Sequence, residues 1–281
     1  MKIRRVKKYI GTFFSLAALA VVAVITCYPF LMMIMGSFKE DYEIFTMNPS
    51  FFPRDGFNLK FYRKLLAEWP FIRNLLNSVI VTASVTAIGC FFCTLAGFTF
   101  AKYRFPFKNG LFLVMLSSMM IPSISLIVPT YLVVRGMGGL NQYWSLILPG
   151  SIPAFGIFMI RQFAVSGVPD ESLEYARVEG ASEWKILMKI AFPMLSPAIF
   201  SLAILTFMNT WNDFLWPIII TTKKEMLTVT ALLRSIGDAS LAGGFGVLLA
   251  ATTLSTIPMI VLYLLFHKKL IQGILDGMGK E

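Results

Sequence analysis

The chain has 281 residues, of which 57% are hydrophobic and 14% charged, and its formal net charge is +10. A soluble domain has about 25% charged residues, so this composition excludes an ordinary soluble protein and indicates a chain solvated mainly by lipid. The basic residues cluster at the ends of apolar segments and form no stripe on a soluble domain. The positive charges therefore indicate how the chain is oriented in a membrane, and we expect no nucleic-acid partner.

Six apolar stretches are each long enough to cross a hydrocarbon core of ~30 Å, which takes about 20 helical residues. The first follows a basic N-terminus and is too long for the apolar region of a signal peptide, so we predict a retained spanning helix. Prolines in the third and fourth stretches predict kinks or broken turns. The predicted fold class is all-α and integral to the membrane. The six predicted spans are 10–37, 78–101, 110–134, 144–164, 197–221 and 246–266.

Lysine and arginine residues near the span ends predict the orientation. They cluster before the first span, between the second and third, between the fourth and fifth, and after the sixth. With six spans all four places lie on one side, so both termini are predicted to be cytoplasmic in a multi-pass protein of the bacterial inner or plasma membrane. The predicted parts of this single transmembrane domain, 1–281, are the tail and first helix (1–37), the core (72–266), a cytoplasmic loop (165–196) and a cytoplasmic tail (267–281).

The residues that usually carry chemistry are sparse. Cys90 and Cys93 form a C-x-x-C pair without a second ligand pair, which is typical of small buried side chains, and the lone His267 fits a membrane edge. The sequence has no G-x-x-x-x-G-K-[ST] phosphate loop, catalytic triad or metal-ligand set. Asp213 is the ionisable residue predicted at depth, which is too little for an ion-coupled carrier. We predict no catalytic residue, no metal site and no cofactor in this chain, so another subunit would supply energy.

The segment EYARVEGASEWKILMKIAFP, residues 174–193, has the pattern of two short helices joined at a corner. Asp170 and Glu171 favour a helix start after Pro169, Gly180 can take the positive φ that ends it, and Ser182 is a candidate N-cap for the next helix. Such a pair fits a docking element or an interfacial helix that rests on lipid headgroups. The predicted apolar side chains are Leu173, Ala176 and Val178 in the first helix, and Trp184, Leu187, Met188 and Ala191 in the second.

This segment resembles the EAA motif of ATP-binding-cassette (ABC) importer permeases, E-A-A-x-x-x-G followed by nine residues and I-x-L-P. Tyr175 and Phe192 replace an alanine and a leucine of that motif. The resemblance implies a coupling helix between the fourth and fifth spans, which fits a cleft in a cytoplasmic ATPase subunit. Glu174 would meet a basic residue of the ATPase, and Gly180 would form the corner. The residues that the resemblance assigns to ATPase coupling are Glu174, Ala176, Gly180, Ala181, Trp184, Ile190 and Pro193.

The resemblance covers essentially the whole chain and is to the maltose-type carbohydrate-uptake permeases. It is carried by MMIPSISLIVPTYLVV, GLNQYWSLILPGSIPAFGIFMIRQF, WNDFLWP and KKLIQGILDGMGK. It implies a homologous second permease subunit, two cytoplasmic ATPase subunits that bind ATP and Mg²⁺, and an extracytoplasmic sugar-binding protein, all serving alternating access across the lipid bilayer. The alternatives are a permease for a polyamine or glycerol phosphate, and a stand-alone channel or ion-coupled carrier.

Two segments are candidates for contact with solute or binding protein. The stretch WNDFLWP offers amides and a carboxylate that can bind sugar hydroxyls and indoles that can stack on sugar rings, but it also fits an aromatic belt and inter-helix contacts. The external segment 222–245 resembles a flexible glycine-bearing loop that reaches toward the binding protein, with a plain surface turn as the alternative. The candidate pathway residues are Asn209, Trp211, Asn212, Asp213 and Trp216, and the candidate loop residues are Gly243 and Gly244.

Overall fold

The protein is described from a computed structural model. The structure describes residues 2–46, 50–240 and 244–278, with the backbone alone described for 2–11, 13 and 267–278. Within these residues every regular element is helical. The helices are α1 (Lys2–Gly36), α2 (Asp41–Ile44), α3 (Lys60–Glu68), α4 (Phe71–Lys102), α5 (Lys108–Ser118), α6 (Ile127–Gly136), α7 (Tyr143–Ile147), α8 (Ala154–Gly167), α9 (Asp170–Val178), α10 (Glu183–Ile186), α11 (Phe192–Met194), α12 (Ser196–Asn212), α13 (Leu215–Ile220), α14 (Val229–Ser240) and α15 (Gly246–Met278), with 3-10 turns at Ser123–Leu126 and Lys224–Met226 and a π turn at Leu187–Ala191.

Three of the described helices are long and apolar enough to cross a membrane: the Phe14–Gly36 part of α1, the whole of α4, and the Gly246–Phe266 part of α15. They correspond to the predicted first, second and sixth spans. Two further pairs of helices are long and apolar enough only when each pair is counted as one span. Lys108–Ser118 and Ser123–Gly136 are bent by 94°, and Glu183–Met194 and Ser196–Asn212 by 76°. The described residues thus contain three to five candidate spans, and α8 is a shorter apolar helix.

Prolines interrupt the predicted third and fourth spans, as expected. The third breaks after α5, just before Pro122, and continues as a 3-10 turn and α6. The fourth consists of α7 and α8, and the residues between them include Pro149 and Pro153. A proline cannot donate a backbone hydrogen bond to the preceding turn, and it restricts the residue before it, so the helix stops at such points.

The predicted fifth span, 197–221, is not one continuous helix. The helix α12 ends at Asn212, and α13 starts at Leu215. Asp213 Oδ1 accepts hydrogen bonds from the backbone N–H groups of Leu215 (3.0 Å) and Trp216 (3.3 Å). A short acidic side chain that binds the backbone in this way offers an alternative to the α-helical pattern and starts a new helix.

The segment 222–245, for which a flexible external loop and a plain surface turn were the two expectations, forms the helix α14 over half of its length. Val229, Leu232 and Ile236 recur at helical spacing and are buried. The stretch before α14 is fixed to α4, because Asn74 Nδ2 donates to the carbonyls of Lys224 and Leu227, both at 2.7 Å. Apolar periodicity and these hydrogen bonds stabilise a helix where the glycines had suggested a loop.

The described chain divides into two compact units. The first comprises residues up to 71 together with 233–257, and the second comprises 72–232 together with the residues from 258 onward. In the first unit, the start of α15 packs on α2 and α3. The Gly246 N–H donates to Asp41 Oδ1 at 3.1 Å, and a Cβ on Gly246 would lie 2.3 Å from the Phe61 ring. Glycine is therefore required at this close approach.

In the second unit, glycines allow α4, α8 and α12 to pack closely, as small residues do between membrane helices. A Cβ on Gly97 of α4 would lie 2.8 Å from Ile160 Cβ and 2.9 Å from the backbone N of Arg161. A Cβ on Gly156 of α8 would lie 2.8 Å from Cys93 Sγ and 3.0 Å from a methyl group of Leu202 on α12. These contacts form the centre of the unit, next to α9 and α10.

Candidate coupling surface and pathway cavity

The corner between α9 and α10 is built by local capping. Gly180 has φ +79°, and the N–H groups of Gly180 and Ala181 donate to Arg177 O (3.0 Å) and Ala176 O (2.9 Å), which is the hydrogen-bond pair of a Schellman motif. Ser182 Oγ then accepts from the Lys185 N–H at 3.3 Å. The predicted positive φ of Gly180 and the predicted N-cap at Ser182 are both confirmed.

The inner face of this coupling loop, defined as residues 170–194, belongs to the core of the second unit. The buried side chains of the loop share one apolar cluster with buried residues of α4, α8 and α12. Because a close-packed core transmits displacement, the loop cannot shift without shifting the ends of these helices. The buried loop residues are Leu173, Ile186, Leu187 and Ala191, and their buried partners include Phe98 on α4, Ile160 and Ala164 on α8, and Ala198 and Leu202 on α12.

The outer face of the loop exposes a small apolar surface next to two acidic side chains. Tyr175 and Val178 are 72% and 88% exposed, and Glu174, Glu179 and Gly180 are exposed beside them. The predicted apolar stripe of α9 was wrong at Val178, which lies about 140° around the helix from Leu173 and so points away from the core. We call Glu174, Tyr175, Val178, Glu179 and Gly180 the outer surface.

The other residues assigned to coupling divide between the two faces. Trp184 is 58% exposed, with its ring edge-on to Phe91 of α4 at a centroid distance of 6.2 Å. Pro193 is exposed, whereas the half-buried Ala176, Ala181 and Ile190 pack against the core cluster. The motif therefore supplies an exposed contact surface and the anchor that holds it.

A polar clamp ties the corner to the end of α4. The Tyr103 hydroxyl donates to Glu183, and the Arg177 guanidinium donates to both carboxylate oxygens of Glu183, at 2.8 and 3.2 Å. Arg177 and Tyr103 hold the pKa of the Glu183 carboxyl below its ordinary value of 4.5. Burial and the Glu183 charge raise the pKa of the Tyr103 hydroxyl. Lys102 adds an ion pair with Asp170 at 2.9 Å. No local sequence pattern predicts this clamp.

Removing the clamp is expected to loosen the corner. A carboxyl whose pKa is lowered by folding stabilises the fold above its ordinary pKa, and this contribution is lost as pH falls through the lowered value. We therefore expect the protection of amides 177–184 from hydrogen exchange to fall below pH 4.5. Glu183→Gln should show the reduced protection already at neutral pH.

The control for this experiment is Glu179→Gln. The Glu179 side chain has no hydrogen bond or ion pair within the described part of the chain, and the variant should keep the pH profile of the wild type. Equal protection in Glu183→Gln and the wild type at neutral pH would contradict the role of the clamp.

A second feature is a cavity of about 420 Å³ at the break between α12 and α13. Three of the five candidate pathway residues line it: Asn209, Asp213 and Trp216. Trp211 is buried and stacks on Phe207 at 5.8 Å, while the Asn212 amide donates to Met208 O at 2.8 Å. The remaining lining residues are Val85, Ser123, Leu126, Ile127, Thr130, Leu146, Pro149, Gly150 and Thr210.

Hydrogen bonds fix two of the cavity groups. The Trp216 indole N–H donates to Ser145 O on α7 at 2.8 Å, which orients the ring. Both backbone N–H bonds to Asp213 go to Oδ1, so Oδ2 has no hydrogen-bond partner within the described residues. The cavity therefore presents one carboxylate oxygen, an exposed amide and an oriented indole.

Of the two candidate loop residues, Gly243 lies outside the described residues. Gly244 has φ +138°, its N–H donates to Ser240 O at 3.1 Å, and a Cβ there would lie 2.5 Å from Asp41 Oδ2. A side chain at Gly244 would strain the backbone and would clash with the Asp41 carboxylate. The residues searched contain no group of three or more His, Cys, Asp or Glu arranged to hold a metal ion.

The profile of the family "Binding-protein-dependent transport system inner membrane component" matches residues 93–275. The arabinooligosaccharides transport system permease protein of Halalkalibacterium halodurans is 29% identical over 92% of each chain. The sn-glycerol-3-phosphate transport system permease protein of Shigella flexneri is 32% identical over 74% of each.

The fold is similar to a chain of a bacterial ABC transporter involved in the import of the acidic polysaccharide alginate. The TM-score is 0.79 at 20% identity, and the match covers 92% of this chain and 96% of that one. Because the family profile spans more than half of the sequence, this chain belongs to the family of binding-protein-dependent transport system inner membrane components.

Proposed function

We propose that the chain is the permease subunit of an ABC importer and translocates a sugar or oligosaccharide delivered by an extracytoplasmic binding protein. The observation that carries this proposal is the two-sided coupling loop. Its outer surface exposes Tyr175 and Val178, and its inner face shares one core with α4, α8 and α12. A motor protein that moved the outer surface would thereby move the helices around the pathway.

The proposed topology has six spans and cytoplasmic termini. The bent pair of α5 and α6 counts as the third span, α7 with α8 as the fourth, and α12 with α13 as the fifth. The coupling loop then faces the cytoplasm, where two ATPase subunits would bind ATP and Mg²⁺ and hydrolyse the nucleotide. A homologous second permease would complete the membrane part. The relatives named above are permease proteins of transport systems, which supports this assembly.

The charge of the cavity favours a neutral sugar over glycerol phosphate. Asp213 is the only ionisable residue among those that line it, and no lysine or arginine joins them. An anionic solute that approached a carboxylate away from water would be repelled, whereas sugar hydroxyls can donate to Oδ2. An indole can stack on the apolar face of a sugar ring. We therefore place the solute among neutral sugars.

The decisive experiment reconstitutes the chain with its partners and measures uptake. We expect sugar uptake that requires both the binding protein and ATP hydrolysis. Glu174→Ala should reduce co-purification of the ATPase subunits and reduce uptake, with the second permease still bound. The control Glu68→Ala changes an exposed acid of α3, away from the loop. Uptake that persists without ATP hydrolysis would instead support a channel or ion-coupled carrier.

Two asparagines of α12 provide a matched test of the pathway. Asn209 is exposed and lines the cavity, whereas the amide of the equally exposed Asn212 is occupied by Met208 O and lies outside the lining. We expect Asn209→Ala to lower sugar uptake about tenfold, because a lost hydrogen bond to solute costs roughly 1.5 kcal/mol. Asn212→Ala should transport normally. Equal effects of the two substitutions on uptake would mean that the cavity does not lie on the transport pathway.

A further inference from the structure

We propose that the connection between α4 and α5, residues 103–107, is a binding site for one anionic phospholipid. The headgroup phosphate would contact Arg104 and Lys108, and an acyl chain would lie in the adjoining groove between α4 and the coupling loop. This proposal goes beyond transport, and it uses the proposed topology only to place the connection at the cytoplasmic surface of the bilayer.

The groove has the surface that an acyl chain requires. It is an open cavity of about 510 Å³ whose lining is mainly apolar. The polar groups of this lining gather at the end where α4 stops, around Tyr103, Arg104 and Glu183. A groove that is mainly apolar and carries the Arg104 guanidinium at its polar end, where Arg177 pairs with the Glu183 carboxylate, matches the polarity of a phospholipid. The apolar part of the lining comprises Leu95, Phe98, Phe105, Trp184 and Leu187.

Arg104 connects this groove to a second, polar cavity of about 590 Å³. The lining of that cavity carries four cations, Lys102, Arg104, Lys108 and Arg177, and two carboxylates, Asp170 and Glu174. Lys102 pairs with Asp170, and Arg177 pairs with Glu183. Arg104 is exposed and makes no hydrogen bond or ion pair within the described residues.

Lys108 brings a second cation to the same place. Its ammonium donates to Tyr103 O at 2.8 Å and Ala101 O at 3.3 Å, which leaves one N–H for a ligand. The charges of Arg161, Arg104 and Lys102 also act on the Lys108 ammonium. The site therefore holds mutually repelling cations, and a bound phosphate would relieve that repulsion.

Location and charge identify the ligand as a lipid. Basic pockets at the cytoplasmic ends of membrane helices attract anionic headgroups, and arginine can bind phosphate through two parallel hydrogen bonds. Phe107, next to the site, is 85% exposed in a left-handed conformation with φ 59°. An exposed aromatic ring at this position is suited to the membrane interface, beside the headgroup.

The test measures lipid retention by the purified complex. The assembled transporter is equilibrated in nanodiscs of phosphatidylcholine with phosphatidylglycerol and transferred to detergent, and the retained lipid is measured by native mass spectrometry. We expect Arg104→Gln to weaken retention of phosphatidylglycerol about fivefold, since one basic residue near a membrane contributes ~1 kcal/mol. Lys108→Gln should act in the same direction. Arg135→Gln, which removes an exposed cation at the end of α6, should change nothing.

Two further measurements distinguish a phospholipid from free phosphate as the ligand. Leu95→Trp, which fills the groove, should lower phosphatidylglycerol retention, whereas a site for free phosphate would be unaffected. Inorganic phosphate in excess should not displace the lipid, and displacement would overturn the lipid assignment. Equal retention by Arg104→Gln and the wild type would overturn the site itself. Retention does not depend on transport, so a complex that holds lipid but imports no sugar would contradict only the proposed function.

Discussion

Replacing Gly180 with valine is expected to abolish transport while the chain still inserts into the membrane. The positive φ of Gly180 closes the Schellman motif, and a β-branched residue in this region costs roughly 1–2 kcal/mol or more. A Cβ at Gly180 would meet nothing within 4 Å, so the effect within this chain is on the backbone. The corner would open, and Tyr175 and Val178 would no longer face the ATPase together. ATP-dependent uptake in proteoliposomes is the measurement.

Gly138 provides a control with the same local geometry. It has φ +73°, open space around a Cβ, and the same hydrogen-bond pair at the end of α6, from Gly138 N to Arg135 O and Gly139 N to Val134 O. Gly138→Val should strain the backbone equally without touching the coupling loop. Gly180→Asn should retain more uptake than Gly180→Val, because asparagine tolerates the left-handed region. Equal loss of uptake in Gly138→Val and Gly180→Val would mean that general destabilisation, and not coupling, explains the result.

Replacing Gly97 with alanine is expected to lower the stability of the second unit clearly. The new methyl group would lie 2.9 Å from both Arg161 N and Ile157 O, and backbone atoms of a packed helix cannot move aside as a flexible side chain can. Overpacking of this kind costs about 1–3 kcal/mol. We expect a lower midpoint of thermal unfolding for the purified complex and a smaller yield of assembled transporter.

Gly110 of α5 is the matched control for this substitution. It is also a glycine in an apolar helix, but a Cβ there would meet nothing within 4 Å. Gly110→Ala should unfold at the wild-type temperature or slightly above it, since alanine favours a helix over glycine. A wild-type unfolding temperature for Gly97→Ala would show that α4 and α8 can separate without loss, contrary to the close packing described above.

The features that could be predicted from sequence are those decided within a few residues. Gly180 and Ser182 were assigned correctly because capping depends on the φ of one residue and the hydroxyl of another, both adjacent to the helix end. The interruptions near Pro122 and Pro149 followed from the missing N–H of proline. In each case the physical cause lies within one helical turn of its effect.

The features that sequence did not reveal join distant parts of the chain. Tyr103 and Glu183 are 80 positions apart, and Asn74 meets Lys224 across 150 positions. No local pattern pairs such side chains, because packing of the spans brings them together. The α14 helix did have a local signal in the spacing of Val229 and Ile236, which the neighbouring glycines obscured.

The candidate pathway residues include features that could be predicted from sequence and features that could not. WNDFLWP was correctly singled out as polar and aromatic within an apolar run, but the end of α12 at Asn212 was not predicted. Helix periodicity places Asn209 and Trp211 on different faces. The break at Asp213 then returns Trp216 to the cavity. Because the break was not predicted, the sequence could not show which of these side chains share a surface.

The separation of the coupling loop into an outer surface and a buried inner face has a consequence for engineering. Residues such as Leu173 and Ile186 must fit the helices of this chain, whereas the exposed Tyr175 and Val178 would be constrained only by the proposed ATPase. A graft of the entire loop into another permease would carry a mismatched interior with it. An exchange restricted to the exposed positions would leave that interior intact, so recognition of the proposed ATPase could be transplanted between importers as a set of four side chains, provided that the corner glycine is kept.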